Sequence, residues 1–332
     1  MSYKYLVTLK PMGEFFFGSE QSFSKNDMRN KVSFFAKSFM FMQQNSILGM
    51  LRKEILRRGH LKIHINGEWP DLPKNRNGDS KEWLEIKNLV GFEPFDFKKE
   101  IDTGIIEDIS EVFLKRDNQV FYQMPFDEDL NSKKTDKKVS FNGKIRDFID
   151  FGIDSKTYEN DYLISKNEKL SYSEVFIESE SVGIKKNSDK EGFFQKTAYK
   201  LKDNFEFAFI LTLKQEIDLN GVVSIGGDGS NFVLKMEKFE DNLEYPEFSK
   251  KEGFDRIVLL SEAYVDEKIE DLCDYIFAEH LIFRGVKSGN NKTKRVRILK
   301  RGSVFYTKNI KEVEKLLKNH LYKFGFNRFK RR

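Results

Sequence analysis

The chain is poor in the residues that most often announce chemistry. It has one cysteine, Cys273, among 332 residues, so an intramolecular disulfide framework and a multi-cysteine zinc site are both excluded. A reducing, cytoplasmic setting fits that usage. Histidine occurs four times, as His60, His64, His280 and His320. His60 and His64 stand four apart in "HLKIH", but the alternation there favours a strand, which would not bring them together as a helix would. No third ligand is near, so neither metal nor cofactor is expected. No apolar run approaches the roughly 20 residues that cross a bilayer, and no membrane partner is expected. The first residues, "MSYKYLVTLK", alternate as a strand rather than as a signal peptide. Cys273 reads as core within a helix, since a nucleophile would need a partnered base. The plentiful acids form no recognisable pair. The sequence therefore predicts no active site and a protein that is not an enzyme.

What is present is charge, unevenly placed. Apolar residues make up 39% and charged residues 33%, a composition that folds and stays in solution. The net charge of +5 conceals a split. From Arg284 to Arg332 there are 17 Lys and Arg against two acids, Glu312 and Glu314, or +15; the rest carries 41 basic against 51 acidic residues, or −10. Such a split predicts one phosphate-seeking surface. Its densest stretch is "GNNKTKRVRILKRGSVFY", Gly289 to Tyr306. Lys294, Arg295, Arg297, Lys300 and Arg301 crowd before Gly302 and Ser303, with Phe305 and Tyr306 alongside. A basic hairpin with adjacent aromatics matches single-stranded RNA recognition, where backbone charge gives affinity and rings stack bases. The plainer reading is an edge strand kept soluble by its charges. The 33 phenylalanines are mostly core on this reading, with some beside basic residues as stacking candidates.

Periodicity supplies the elements. Tyr3 to Leu9 alternates as a first strand, followed by a glycine-broken aromatic loop, "EFFFGSEQSF". Ile47, Leu48, Leu51, Ile55 and Leu56 fall on one helical face, capped by Asn45 or Ser46 and stopped by Gly59, with a basic outer face. Gly49 in that helix costs up to ~1 kcal/mol relative to alanine, so a close neighbour is expected there, and Arg52 follows at helical spacing. A short helix is predicted near Lys81 to Val90, and a mobile insertion over Asp127 to Lys144. "VGIKKNSDKEGFFQKTAYKL" reads as a hairpin with a charged tip, and Phe205 to Leu213 as a buried strand. "VVSIGGDGSNFVLKMEKF" reads as strand, glycine turn, strand. Gly226, Gly227 and Gly229 could turn their amides to a phosphate, though a hairpin turn is the simpler reading. The last segment runs strand "RIVLLSEAYV", helix "DEKIEDLCDYIF", strands in "HLIFRGVK" and "KRVRILKRGSVFYT", helix "IKEVEKLLKNHLYKF". That β-α-β-β-α order predicts an α+β fold with two ferredoxin-like (RRM-like) domains. The first, over 1–245, is enlarged by insertions; the second, over 250–332, carries the basic surface.

Four segments in order, "FFFG" at Phe15 to Gly18, "SILGMLR" at Ser46 to Arg52, "IGGDGSNF" at Ile225 to Phe232 and "KRVRILKRGSVFY" at Lys294 to Tyr306, resemble the RAMP superfamily of CRISPR-associated proteins. Within it, the chain is similar to the type III-B (Cmr) effector subunit that caps the crRNA 5′ handle. The resemblance implies a non-catalytic role in antiviral defence: holding the handle, bridging the large polymerase-type subunit to the backbone RAMP subunits, and meeting target RNA only indirectly. By residue it implies RNA or subunit contacts at Gly49, Arg52, Gly226, Gly227, Gly229, Lys294, Arg295, Arg297, Lys300, Arg301, Gly302, Ser303 and Tyr306. Lys300 and Arg301 depart from the small residues or proline of relatives, and Asp228 sets an acid in the glycine loop. Two alternatives stand beside this: a metal-independent crRNA-processing endoribonuclease of the same superfamily, for which His60 is the candidate base, and the equivalent subunit of a type III-A or III-D complex. A protein-only scaffold whose basic face docks on an acidic subunit is a third.

Overall fold

The structure is a computed structural model that describes residues 2–18, 21–26, 31–58, 81–91, 93–128, 132–134, 138–141, 144–147, 161–185, 192–226, 229–248, 255–265, 269–283, 296–307 and 309–332. It is α+β, with mostly antiparallel sheets and few helices. The chain does not divide at one point near 245–253. It forms two compact units, one of Met1–Ile109, Ile177–Leu201 and Glu206–Asp241, the other of Ser110–Phe176, Lys202–Phe205 and Asn242–Arg332.

In the first unit, the strand Tyr3–Pro11 lies between Glu206–Leu213 and Ser230–Lys238, antiparallel to both. Ile106–Ile109 pairs antiparallel with Glu206–Leu213, and Gly221–Ile225 with Ser230–Lys238. With Gly221–Ile225, the strand beyond Ser230–Lys238, set aside and the other four numbered by their place in the chain, the order is fourth, first, third, second. The alternation in the first strand sends Tyr5, Val7 and Leu9 inward, while Phe207, Phe209, Leu211 and Leu213 are buried on its neighbour. Helix α1 (Gln44–Arg58) buries Ile47, Leu48, Leu51 and Ile55, the face its spacing predicts, and adds Met50, Gln44 and Glu54. Helix α2 spans Lys81–Val90, as expected. The aromatic "FFF" segment is core rather than loop surface. Phe15 and Phe17 stack at 4.7 Å, Phe17 lies 5.9 Å from Phe232, and Phe15 meets Phe207 edge-on at 5.5 Å. A second sheet orders Phe176–Lys185, Gly192–Leu201, Lys31–Lys37 and Gln21–Asn26. Its first two strands form the predicted hairpin; the charged tip, 186–191, lies outside the described residues.

In the second unit, the strands Tyr275–Phe277, Val304–Thr307, Asp255–Leu259 and Phe329–Arg331 make an antiparallel sheet in that order. By chain position this is second, third, first, fourth. A hairpin of His280–Phe283 and Val296–Leu299 is inserted between the second and third strands. The predicted helix over "DEKIEDLCDYIF" is corrected. Among the described residues only a 3-10 turn, Ile269–Leu272, forms, and Tyr275–Phe277 is a strand. Its Tyr-Ile-Phe run, buried throughout, suits a pleated core strand better than a helix with one apolar face. Cys273 is core, as expected, but not helical. After the one-turn helix α3 (Tyr172–Val175), the closing helix, α4 (Ile310–Leu317), is shorter than its pattern, and a last strand, Phe329–Arg331, follows. Phe113–Arg116, Gln119–Gln123, Tyr162–Ile164 and Lys169–Ser171 form a further antiparallel set. The expected insertion is corrected at its first residue: Asp127 is fully buried, and the described parts of 132–147 form three short antiparallel strands.

Candidate nucleic-acid interface

The basic segment expected to form an RNA-facing hairpin does not pair its strands with each other: Val296–Leu299 pairs with His280–Phe283, Val304–Thr307 with Asp255–Leu259 and Tyr275–Phe277, and the turn between them is built into the second unit. Ser303 donates its backbone N–H to the Lys300 carbonyl at 3.2 Å and its hydroxyl to the same oxygen at 2.6 Å. Gly302, with φ +83°, takes the third position of that turn, as a type II turn requires. The turn is pressed inward. A Cβ on Gly302 would stand 2.6 Å from Gln123 Cγ and 2.9 Å from Phe126 Cε1.

Side chains follow the same course. Arg301 is 3% exposed; it forks onto Glu262, with Nε and Nη2 at 2.8 and 2.9 Å, and donates Nη1 to the Val112 carbonyl at 3.0 Å. Burial would raise the Glu262 carboxyl, but Arg301 beside it outweighs that and holds it below its ordinary value. Tyr306 is fully buried and donates its hydroxyl to Asp127. Phe305 and Ser303 are buried too. Lys300 pairs with Glu279 at 2.9 Å. Arg297 is exposed, within 3.1 Å of His280 Nδ1. Lys294 and Arg295 lie outside the described residues. Arg301, Gly302, Ser303 and Tyr306, expected to face a nucleotide, are thus each engaged within the fold.

Arg52 is likewise engaged, donating Nη1 to the Glu93 carbonyl at 2.9 Å and Nη2 to that of Asp102 at 2.7 Å. It ties the 93–102 segment to α1. Gly49 differs. It is exposed, and a Cβ there would meet nothing within 4 Å. The intrachain neighbour expected to explain this glycine does not exist among the described residues. Along the same helix, Glu54 is buried between Arg57 at 3.6 Å and Arg58 at 3.2 Å, which removes part of the basic face read from sequence.

Gly226 and Gly229 have φ of +86° and +66°, and the Gly229 N–H donates to the Gly226 carbonyl at 3.2 Å, closing the hairpin turn. Gly227 and Asp228 lie outside the described residues. A Cβ on Gly226 would stand 2.8 Å from the Phe16 carbonyl oxygen, whereas Gly229 opens onto a groove of 620 Å³ bordered by Gly13, Glu14, Lys196 and Asn231. The Lys196 ammonium sits 4.5 Å over the Phe16 ring. A hydrogen bond from Ser179 and the nearby Lys200 hold the Glu14 carboxyl below its usual range, so an anion stands on the groove wall.

Further exposed cations of the described C-terminal region stand on and beside α4. Lys311 and Lys315 are exposed on α4, and Lys318 follows at its end, 54% exposed. No group of three or more His, Cys, Asp or Glu suited to a metal occurs among the described residues. His60 and His64 lie outside them. No helix among them is long and apolar enough to cross a membrane.

A family model described as CRISPR-associated protein (Cas_Cmr3) matches residues 7–329. No curated protein matches the chain significantly. Among solved structures, the fold superposes on a chain of the type III-B Cmr-beta complex bound to cognate target RNA and AMPPnP. The TM-score is 0.50 at 14% identity, covering 98% of this chain and 95% of that one. A chain of the same complex bound to cognate target RNA gives 0.50 at 13% identity, covering 98% and 96%. A chain of a Csm3–Csm4 subcomplex of the type III-A interference complex gives 0.39 at 14%, covering 91% and 92%.

Proposed function

The chain belongs to the CRISPR-associated Cas_Cmr3 family, and from that premise we propose that it is the non-catalytic subunit of a type III effector complex that holds the 5′ handle of crRNA. In this role it bridges the large polymerase-type subunit to the backbone RAMP subunits, in the cytoplasm and in antiviral defence. The observation that carries RNA binding is the charge split, 17 basic residues against two acids over the last 49 positions, Arg284 to Arg332. Exposed lysines on α4 supply part of that surface. Lys294, Arg295 and Arg297 remain further candidates for RNA contact. Gly49, exposed with open space above it, suits the close approach of a neighbouring subunit's backbone or of RNA.

We also propose that each unit is a ferredoxin-like domain. In each unit four antiparallel strands run in the order fourth, first, third, second, the arrangement of a split β-α-β, ferredoxin-like domain. In the first unit α1 follows the first strand, and the long excursion from 110 to 205 separates the second strand from the third.

The test is direct. Full-length protein is mixed with single-stranded repeat-derived RNA in the presence of a chelator. Binding that falls steeply with salt, with the RNA recovered intact, is the expected result. Site-specific cleavage would overturn the non-catalytic role, and no binding at low salt would overturn RNA holding.

A further inference from the structure

We infer that the nucleotide-stacking surface of this protein lies not on Phe305 and Tyr306 but on the C-terminal α4 face, with Tyr322, Arg328 and Phe329 as a platform for unpaired bases. The inference rests on the RNA-holding role proposed above and assigns it a site.

From Val296 to the C-terminus there are six Phe and Tyr residues. Phe305, Tyr306, Phe324 and Phe326 are buried; Tyr322 and Phe329 alone are half-buried. Tyr322 and Phe329 meet edge-on at 6.3 Å. Cations stand over both rings: the Arg328 guanidinium is 4.0 Å from the Tyr322 centroid, and the Lys318 ammonium 5.6 Å from that of Phe329. Bases stack both on aromatic rings and on guanidinium planes, so this array offers successive π-faces already flanked by positive charge.

The charge extends in a line. Lys311, Lys315 and Lys318 recur at i, i+4 and i+7, which places them on one side of a helix. Ile310, Val313 and Leu317 on the opposite side are buried. A phosphate backbone following the lysines would be led to the aromatic pair.

The loop that carries the platform is held in shape. Asn327 is fully buried in the left-handed region, at φ +59°. Its side chain accepts the Tyr264 N–H at 2.7 Å and donates to the Tyr264 carbonyl and to Asn319 Oδ1, both at 3.0 Å. Gly325, at φ +82°, makes the preceding turn, and the Arg328 N–H is bound by Ser261 Oγ at 2.9 Å. A ring fixed before binding loses little freedom on contact. A non-glycine residue kept in a costly backbone region by such a network commonly marks a functional loop.

The experiment measures anisotropy of a labelled single-stranded repeat-derived RNA with full-length protein across a salt series. Tyr322→Leu and Phe329→Leu should each weaken binding by roughly tenfold, the loss of one base stack. Lys311→Gln/Lys315→Gln/Lys318→Gln should lower the slope of log affinity against log salt by about 2, at about 0.7 per phosphate contact on a single strand. Thermal unfolding of each variant separates loss of binding from loss of fold. Because Phe329 also packs on the core, Tyr322→Leu and the lysine variant decide the matter should Phe329→Leu unfold. Wild-type binding that neither set alters would overturn the inference and leave the handle role standing. A loss in the lysine variant without any loss in Tyr322→Leu would overturn the stacking platform. Lysine variants that bind RNA normally yet fail to join the complex would assign the face to a protein neighbour and overturn it too. No binding by the wild type would remove the handle role itself.

Discussion

The Arg256 guanidinium faces the Asp127 carboxylate with both side chains fully buried although the two stand 129 positions apart in the chain, Nε lying 2.9 Å from Oδ2. Tyr306 donates its hydroxyl to the same carboxylate, and Glu128 lies 3.2 Å from Nη2. Burial works against the Arg256 charge, but Asp127 outweighs it and keeps the guanidinium above its ordinary value. Asp127→Ala would strand a buried cation. A loss of about 3–5 kcal/mol is expected, read as a lower urea midpoint, whereas Asp127→Leu with Arg256→Met should recover most of it. Equal losses for the single and double substitutions would show that the pair does not carry the cost.

This network bears on how charge is to be read in the C-terminal region. Arg301 and Glu262 form a second such pair, with Arg301 nearly enclosed. Charge reversal at Arg301 should therefore unfold the second unit, not merely weaken RNA binding. Reversal at exposed Arg297 should leave the unfolding temperature within a degree or so, as surface substitutions usually do. Comparing the two by circular dichroism melts distinguishes a fold role from a contact role. The pair also predicts acid sensitivity. The Glu262 carboxyl is held below its ordinary value of 4.5 in the folded chain, so the unfolded state binds its proton first. The stability it contributes is fully present above that value and is lost as pH falls through the depressed folded one. Glu262→Gln should flatten stability against pH there while lowering it near neutrality.

At alkaline pH the sign is set by tyrosines. Burial, followed by Asp127, raises the Tyr306 hydroxyl far above its ordinary value of 10.0; burial, followed by Glu111, does the same for Tyr122. Above pH 10 the unfolded chain releases protons that the folded chain retains. Stability should be level below that point and then fall by about 1.4 kcal/mol per pH unit for each such group. Urea titrations between roughly pH 8 and 11 test it. Tyr122→Phe should remove one group's share of the slope, and an unchanged slope would exclude Tyr122 as a contributor.

The sequence disclosed what a period or a spacing encodes. Tyr3–Pro11 alternates, α1 repeats Ile47, Leu48, Leu51 and Ile55, and the Gly226–Gly229 turn separates two strands, each as expected. It hid what only tertiary pairing decides. Arg301 read as surface because charged residues seldom go inside, and the acids that enclose Arg256 and Arg301, Asp127 and Glu262, lie 129 and 39 positions away. Tyr306 read as a stacking ring because its neighbours are basic, although four successive positions from Val304 to Thr307 are buried. The segment 275–277 is apolar enough for either period and too short to choose, so contact with Val304–Thr307 made it a strand. The signal for α4 was present: lysines at 311, 315 and 318 opposite Ile310, Val313 and Leu317. What the sequence could not show was that Phe305 and Tyr306 would be enclosed while Tyr322 and Phe329 would not.

Two glycines give opposite expectations for the same substitution. Gly302→Ala introduces a Cβ at φ +83°, 2.6 Å from Gln123 Cγ and 3.0 Å from the Met124 carbonyl oxygen. Left-handed strain and overpacking together should cost about 2–4 kcal/mol. Gly49→Ala meets no atom within 4 Å on an exposed turn of α1, so the isolated protein should gain up to about 1 kcal/mol from the better helix former. A stabilising alanine at an unconstrained site raises the question of what keeps glycine there. If the space above α1 is taken by another backbone in the complex, Gly49→Leu should fold at least as well as wild type and yet fail to assemble with the other subunits and crRNA. Normal assembly by a well-folded Gly49→Leu protein would exclude that face as a contact.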